Sequence, residues 1–410
     1  MIELLIITVA YGFTAYTNHS RPKQDRWVLH ALLGYHLLFT FAFTYFILLQ
    51  GGDAIAYWEL STNVMEAPSE RWMDYFGLST RFVQWLNFWP HQWGWSFLGL
   101  NLIYGLLGYL GIQLIYLSLF KRTSQEDKTE NIIQKSGWLV LFLPNMHFWT
   151  AGITKEALTI LGLGWVFYGL RYWKSAGWQL PLAIGFLFLA RPHIGFLMAG
   201  LSFLFFLLEP SLDRRWKLGI GGVGVLGLVL LYPMLTAYLV IDDFSWDSLK
   251  ALMDYQLDFL HGEGVGSMVD MQHYNLLQRL GTYLFRPLFF DAYNLQTYLA
   301  SLENLVYVGL SVYGLSRIRG TKLTNIPLLY WIVLLFFLIT TFLFANSLSN
   351  LGIMMRMKSF CVVFYLSLLH FPTTNHPAGN SAAFAISNLL PLPPCVSTGN
   401  LLSTQVDSRK

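Results

Sequence analysis

A chain of 410 residues that is 55% hydrophobic and only 12% charged falls far below the roughly 25% charged residues of an ordinary globular domain. Its formal net charge of +3 is too small to point to nucleic acid. The two cysteines, Cys361 in an apolar run and Cys395 in a polar tail, indicate neither a disulfide framework nor a zinc site.

Apolar stretches of the length needed to cross a bilayer recur along the chain. In lipid, backbone polar groups must be satisfied within the segment. The expected fold is therefore all-α, a polytopic transmembrane helical bundle of about eleven spans. The spans fall near 2–17, 27–50, 95–120, 136–150, 155–172, 177–190, 193–208, 217–240, 299–316, 324–345 and 358–371. Those near 136–150, 177–190 and 193–208 are short and read as tilted, broken or re-entrant. The opening MIELLIITVAYGFTAYT lacks a basic n-region and a small-residue cleavage site, so it reads as a retained first span. Residues 1–371 form the membrane domain. Residues 372–410, rich in Pro, Ser, Asn and Thr, read as a disordered tail.

Basic residues mark one set of connections: Arg21, Lys23 and Arg26; Lys121, Arg122, Lys128 and Lys135; Arg171 and Lys174; Arg214, Arg215 and Lys217; Arg317, Arg319 and Lys322. The positive-inside rule places this set in the cytoplasm and the N-terminus outside. The outer side then receives 51–94, the turn at Thr150–Lys155, the turn at Arg191–His193, the amphipathic segment 241–298, and 346–357.

Charged residues on that outer side are the candidates for function. GGDAIAYW places Asp53 where a helix begins, with Tyr57 four residues on and so on the same face. A short carboxylate there can serve as a general base or bind a divalent metal; an ordinary helix-ending turn is the plain alternative. In HFWTAGITKEAL, Lys155 and Glu156 stand at the start of a helix capped by Thr154. Glu156 suits the positive end of that helix, and snorkelling at the interface is the plain alternative for Lys155. ARPH sets Arg191 and His193 at a proline break between two apolar runs. Arginine at membrane depth calls for an anionic partner, and its planar fork suits phosphate. FRPLFFDAYN repeats the motif with Arg286, and NSLSNLGIMMRMKS adds Asn350, Arg356 and Lys358. A cluster of outer cations suggests a polyanionic ligand. The acids of 241–298 read as a solvated face, and HGEGVGS (His261–Ser267) as a loop able to serve as a lid. Trp72, Tyr75, Phe76, Trp85, Phe88, Trp89, Trp93 and Trp95 read mainly as interface residues, with a minority able to stack on sugar rings.

The strings PNMHFWTAGITKEAL, ARPH, FRPLFFDAYN followed by SLENL, and NLGIMMRMKS resemble bacterial polytopic membrane proteins from surface-polysaccharide loci. These are similar to the GT-C class of glycosyltransferases and to O-antigen polymerase-like proteins. The resemblance spans about residues 27–365. It implies sugar transfer or glycan polymerisation from a polyprenyl-phosphate-linked saccharide at the outer face of the bacterial cytoplasmic membrane. Membrane lipids and polysaccharide assembly proteins are the implied partners; nucleic acid is not. Asp53 matches the first-loop acid that activates the acceptor or binds metal, and Glu156 is a second candidate for the catalytic base. Lys155, Arg191, His193, Arg286 and Arg356 are candidates for holding the phosphate. The Asp-Glu pair of several GT-C members is absent beside Asp53, which counts against a metal-dependent mechanism. The tail after LSLLH departs from the family, and a truncated or frame-shifted end is one reading of it. A transporter of lipid-linked saccharides and a non-catalytic scaffold are the alternatives; no convincing internal repeat supports the transporter.

Overall fold

The computed structural model describes residues 2–61, 69–120, 137–243, 245–262, 267–318 and 326–370. Among them the regular structure is helical, with a single isolated bridge between Met268 and Asn350. The expected all-α class holds.

The helices follow the apolar runs. α1 (Ile2–Asn18) and α2 (Lys23–Gln50) come first, then the short α3 (Asp53–Trp58) and α4 (Thr80–Gln92). α5 (Phe97–Ile115) runs on as a wider turn to Phe120, and α6 (Pro144–Trp149) precedes α7 (Lys155–Arg171). A short α8 (Trp173–Ala176) leads into α9 (Leu180–Ala190), α10 (Pro192–Leu208) and α11 (Arg214–Leu239). α12 (Trp246–Gly262) and α13 (Leu276–Phe285) occupy the expected amphipathic segment, and α14 (Leu295–Ile318), α15 (Leu328–Ala345) and α16 (Leu351–His370) complete the bundle.

Four helical stretches are long and apolar enough to cross a membrane: Lys23–Gln50, Phe97–Phe120, Leu328–Ala345 and Leu351–Leu369. A fifth arises if Arg214–Gly227 and Tyr232–Leu239, bent by 42°, count as one span. The expected eleven is not reached among the described residues, although every expected segment is at least partly helical. α14 has 24 residues and falls short in apolarity, but for most of the others the reason is length. α1, α7 and α10 have 17 residues each, or about 25 Å at 1.5 Å per residue, against a hydrocarbon core of about 30 Å. The 136–150 segment is broken outright: a tight helical turn over Gly137–Phe142 ends before Pro144, where α6 starts.

The end of the chain needs a larger correction. The expected span 358–371 preceded by an outer loop at 346–357 is instead one helix starting at Leu351. Asn350 starts it: its side chain accepts from Ile353 N at 3.1 Å and its carbonyl from Met354 N at 2.9 Å. Arg356 and Lys358 are therefore helical residues inside the bundle. The tail beyond 370 and the loop residues 263–266 lie outside the described residues.

The centre of the bundle is built on α5 and α7. Gly105, Gly108 and Gly111 on α5 turn toward Ala151 O, Thr150 O and the Ile160 backbone, and Gly164 of α7 turns back onto Gly111. A Cβ at Gly108, Gly111 or Gly164 would collide with backbone, and one at Gly105 with the Thr40 side chain, so glycine sets how closely α5 meets α7, the turn before it and α2. α2 packs antiparallel to α5: Tyr109 donates to Leu29 O at 3.1 Å, while Thr40 faces Gly105. α9 and α10 form a hairpin whose break is Arg191, in extended conformation between them. This frame brings the starts of α3, α4, α7 and α10 to one end, alongside the first two turns of α16.

Candidate functional site

At that end five of the seven predicted site residues form one charged cluster. Asp53 opens α3 after Gly51 and Gly52, whose φ values of 77° and 137° are open to glycine but not to most residues. Lys155 and Glu156 open α7, and Thr154 caps it as expected, accepting from Ala157 N at 3.1 Å. Arg191 occupies the α9–α10 break. Arg356 projects from the second turn of α16.

Glu156 is fully buried and lies between two arginines. Its Oε1 accepts from Arg191 Nη2 and sits 2.8 Å from Arg356 Nε. Arg356 Nη1 donates to Asp53 Oδ2 at 2.8 Å. The chain of charges thus runs Arg191, Glu156, Arg356, Asp53, from inside to outside: Glu156 is inaccessible, while the Asp53 side chain is 54% exposed. Arg191 also lies over the Phe360 ring at 5.2 Å, and Arg356 over Trp149 at 5.9 Å. Cation–π contact adds to the hold on both guanidinium groups.

Lys155 is different. Its Nζ lies 3.4 Å from Ser79 Oγ and Thr80 Oγ1, long contacts to neutral hydroxyls, and no carboxylate among the described residues lies within ion-pair distance. Three cations therefore face two carboxylates, and the surplus charge rests on Lys155. Three buried atoms in the cluster have no hydrogen-bond partner: Glu156 Oε2, Arg191 Nε and Arg356 Nε, the last held to Glu156 by charge alone. Tyr57 stays neutral beside Asp53, because burial, then the Asp53 charge, pushes its hydroxyl up to about 12.

The other two predicted residues form no ion pair with this cluster. His193 is the second residue of α10, within reach of the Arg191 and Lys155 charges, its ring edge-on to Phe344 at 6.4 Å. Arg286 makes a two-bond fork with Asp291, Nε to Oδ2 at 3.1 Å and Nη2 to Oδ1 at 2.6 Å, and lies over Phe290. It braces its own turn and the structure does not bring it to the cluster. The hydrogen bond to Asp291 keeps the Arg286 guanidinium charged.

Of a second polar set, sequence reasoning names Lys358 alone, and as a cation of the outer boundary. Lys358, fully buried, donates to Arg286 O at 2.7 Å and Asn304 Oδ1 at 2.9 Å, and approaches Leu284 O at 3.5 Å. Glu303 accepts from Tyr307 Oη and from Asn145 N at 2.8 Å. His36 and His147 also meet, Nδ1 to Nδ1 at 2.8 Å, with His147 Nε2 on Leu141 O at 2.6 Å. The available signal was the rarity of such groups within apolar runs; spacing alone does not tell which would meet.

Metal binding fits this cluster poorly. Its two carboxylates are both paired with Arg356, and no group of three or more His, Cys, Asp or Glu suited to a metal occurs among the described residues. Against known proteins, no family model, no curated protein and no solved structure matches the chain.

Proposed function

We propose that the cluster binds the phosphate of a lipid-borne substrate, and that the chain transfers a saccharide from a polyprenyl-phosphate-linked donor at the outer face of the bacterial cytoplasmic membrane. The observation that carries this reading is the uncompensated Lys155 beside the Arg191–Glu156–Arg356 array. A preorganised cation surplus at low dielectric favours an anion, and most of all one whose charge grows as a bond to it breaks. Phosphate as leaving group has that property. Its lipid tail stays in the bilayer while the phosphate reaches the bundle end.

The two carboxylates then divide. Glu156 is buried and shared by two arginines, so it orients the cations and does not reach a substrate. Asp53 is the accessible carboxylate. It accepts the proton of the acceptor hydroxyl as that oxygen bonds to the anomeric carbon; the anomeric C–O bond to phosphate breaks, and the electron pair leaves with the phosphate toward Lys155 and Arg356.

The test separates binding from transfer. Purified chain in detergent is titrated with a polyprenyl phosphate, and lipid-linked glycans are analysed in cells carrying the same variants. Lys155→Met is expected to weaken binding by about tenfold or more, the value of one charge-assisted hydrogen bond. Asp53→Asn is expected to keep binding and lose transfer. Unchanged binding in Lys155→Met refutes the phosphate site. Normal glycans in Asp53→Asn, with binding kept, refute the enzyme and leave a transporter or scaffold. In a deletion strain, single repeat units without long chains identify a polymerase; units lacking one sugar identify a single-sugar transferase.

A further inference from the structure

Helix α4 has two unlike faces. Its inward face buries Phe82, Val83 and Phe88 together with two amides, Gln84 and Asn87, both fully enclosed. Gln84 Nε2 donates to Ser61 O at 2.9 Å, Asn87 Nδ2 to Tyr57 O at 3.0 Å, and Asn87 Oδ1 accepts from Tyr104 Oη at 2.8 Å. Arg81, Trp85, Trp89 and, just past the last turn, Trp93 follow at four-residue steps that align on one side of a helix; Trp85 is half-buried, stacked on Trp72 at 4.7 Å, and the outer part of that side is Trp89 and Trp93. Trp89 and Trp93 are 44% and 67% exposed, and Met73 and Phe76 of the preceding segment are 61% and 49% exposed. The rings form one surface: Phe76 meets Trp85 at 5.4 Å, Trp72 meets Trp89 at 6.1 Å, and Trp89 meets Trp93 at 6.1 Å.

The position of α4 says what covers this surface. α2 and α5 are both long and apolar enough to cross a membrane, and they run antiparallel. α3 begins three residues after α2 ends, and α5 begins five residues after α4 ends. α3 and α4 are thereby held at the level where two spans leave the hydrocarbon; Trp58 Nε1 on Trp95 O at 3.4 Å ties the two ends together. Against water this apolar stripe would be costly. At a headgroup boundary, tryptophan, with a flat apolar body and one N–H, is the side chain that fits.

We infer that α4 is a membrane-surface helix whose exposed Trp89 and Trp93, widened by Met73 and Phe76, rest in the boundary between lipid headgroups and acyl chains. Its polar inner bonds to Ser61, Tyr57 and Tyr104 add to the apolar contact that Phe82 and Val83 make with Phe43, Ile47 and Ala54, and together they fix which face is left outward. Because Ser79 N bonds to Leu189 O at 2.8 Å and Thr80 begins the helix, the same placement sets Lys155 near the depth of lipid phosphates. The lipid contact stands whether or not the charged cluster carries out sugar transfer.

Two measurements test it on the full chain in nanodiscs of phosphatidylcholine and phosphatidylglycerol. With Cys395→Ala as background and the buried Cys361 left in place, nitroxides are attached at Trp89→Cys and Trp93→Cys. Power saturation is expected to show oxygen accessibility above that of a water-soluble nickel chelate, at a depth of about 5–10 Å. Nickel accessibility equal to that of a free label overturns the inference and leaves a saccharide or protein as the occupant. If the labelled chains fail to insert, tryptophan quenching by lipids brominated near the headgroup decides. The quenched fraction should fall in Trp89→Phe/Trp93→Phe relative to the unaltered chain, and an equal fraction overturns the inference.

Discussion

Glu156 shows how much a single oxygen can organise. Its Oε1 serves two guanidinium groups from different helices, so removing the charge leaves two arginines short of a partner in a buried setting. Breaking such a pair from one side costs about 3–5 kcal/mol. Glu156→Gln is therefore expected to lower thermal stability in detergent markedly, whereas Asp53→Asn, whose side chain is half exposed, should leave it nearly unchanged; a thermal shift assay on both compares them. At the far turn, Asp291 is a pH reporter. Partial burial works against its charge, but the Arg286 guanidinium and the Leu288 N–H outweigh that and hold its carboxyl below the usual range. A depressed folded value gives stability that is complete above the unfolded carboxylate value near 4 and is lost as pH falls through the folded one. Asp291→Asn should remove that acid-side slope, seen as a smaller loss of melting temperature below about pH 4. The members of the cluster were legible one at a time, as charges interrupting apolar runs. Their pairing was not. Arg191 and Arg286 both precede a proline, yet Arg286 pairs within its own turn with Asp291, while Arg191 reaches Glu156, 35 residues away, only because two helix ends meet.

At the level of helices, α16 explains the main misreading. Two cations in the stretch Asn346–Ser359 make it look like a loop outside the last span. The helix nevertheless runs through them, because Asp53 and Glu156 supply counter-charge on one side and three carbonyl oxygens surround Lys358 on another. Hydropathy along one chain cannot register partners more than fifty residues away. The readable signal was Asn350 as a cap. Asn350→Ala should cost about 1 kcal/mol and loosen the start of α16, measurable as faster amide exchange over 351–355. The glycines of α5 behave differently: a run of small residues signals close approach but not its partner. Gly111→Val would push a branched side chain into the Ile160 backbone, and loss of monodisperse protein in size-exclusion chromatography is the expected outcome.

For the whole molecule, apolar length predicts helices well and membrane crossings less well. Among the described residues each expected apolar run contributes helix, yet four or five helices are long and apolar enough to traverse a bilayer. The remaining short helices pack beside them: α7 is almost wholly buried among its neighbours. Within a bundle, apolar residues satisfy protein neighbours as readily as lipid, so composition does not distinguish a lipid-facing span from a buried one. The two ends of the bundle can still be told apart by experiment. α7 carries Lys155 at one end and Arg171 at the other, so Gln92→Cys and Lys174→Cys should react with a membrane-impermeant maleimide from opposite sides of sealed vesicles. Reaction of both from one side would undo the common depth of the cluster and α4.

Arg356 and Lys358 are two residues apart on α16 and so point about 200° apart around its axis. One grips the acids at the rim; the other is pinned by Arg286 O and Asn304 Oδ1 on the opposite flank. The helix is thus clamped like a shaft between two bearings. A guest that pulls the guanidinium off Glu156 must either twist that shaft or work against the far clamp, so arrival of an anion would be felt at the Arg286–Asp291 turn, which shares no atom with it.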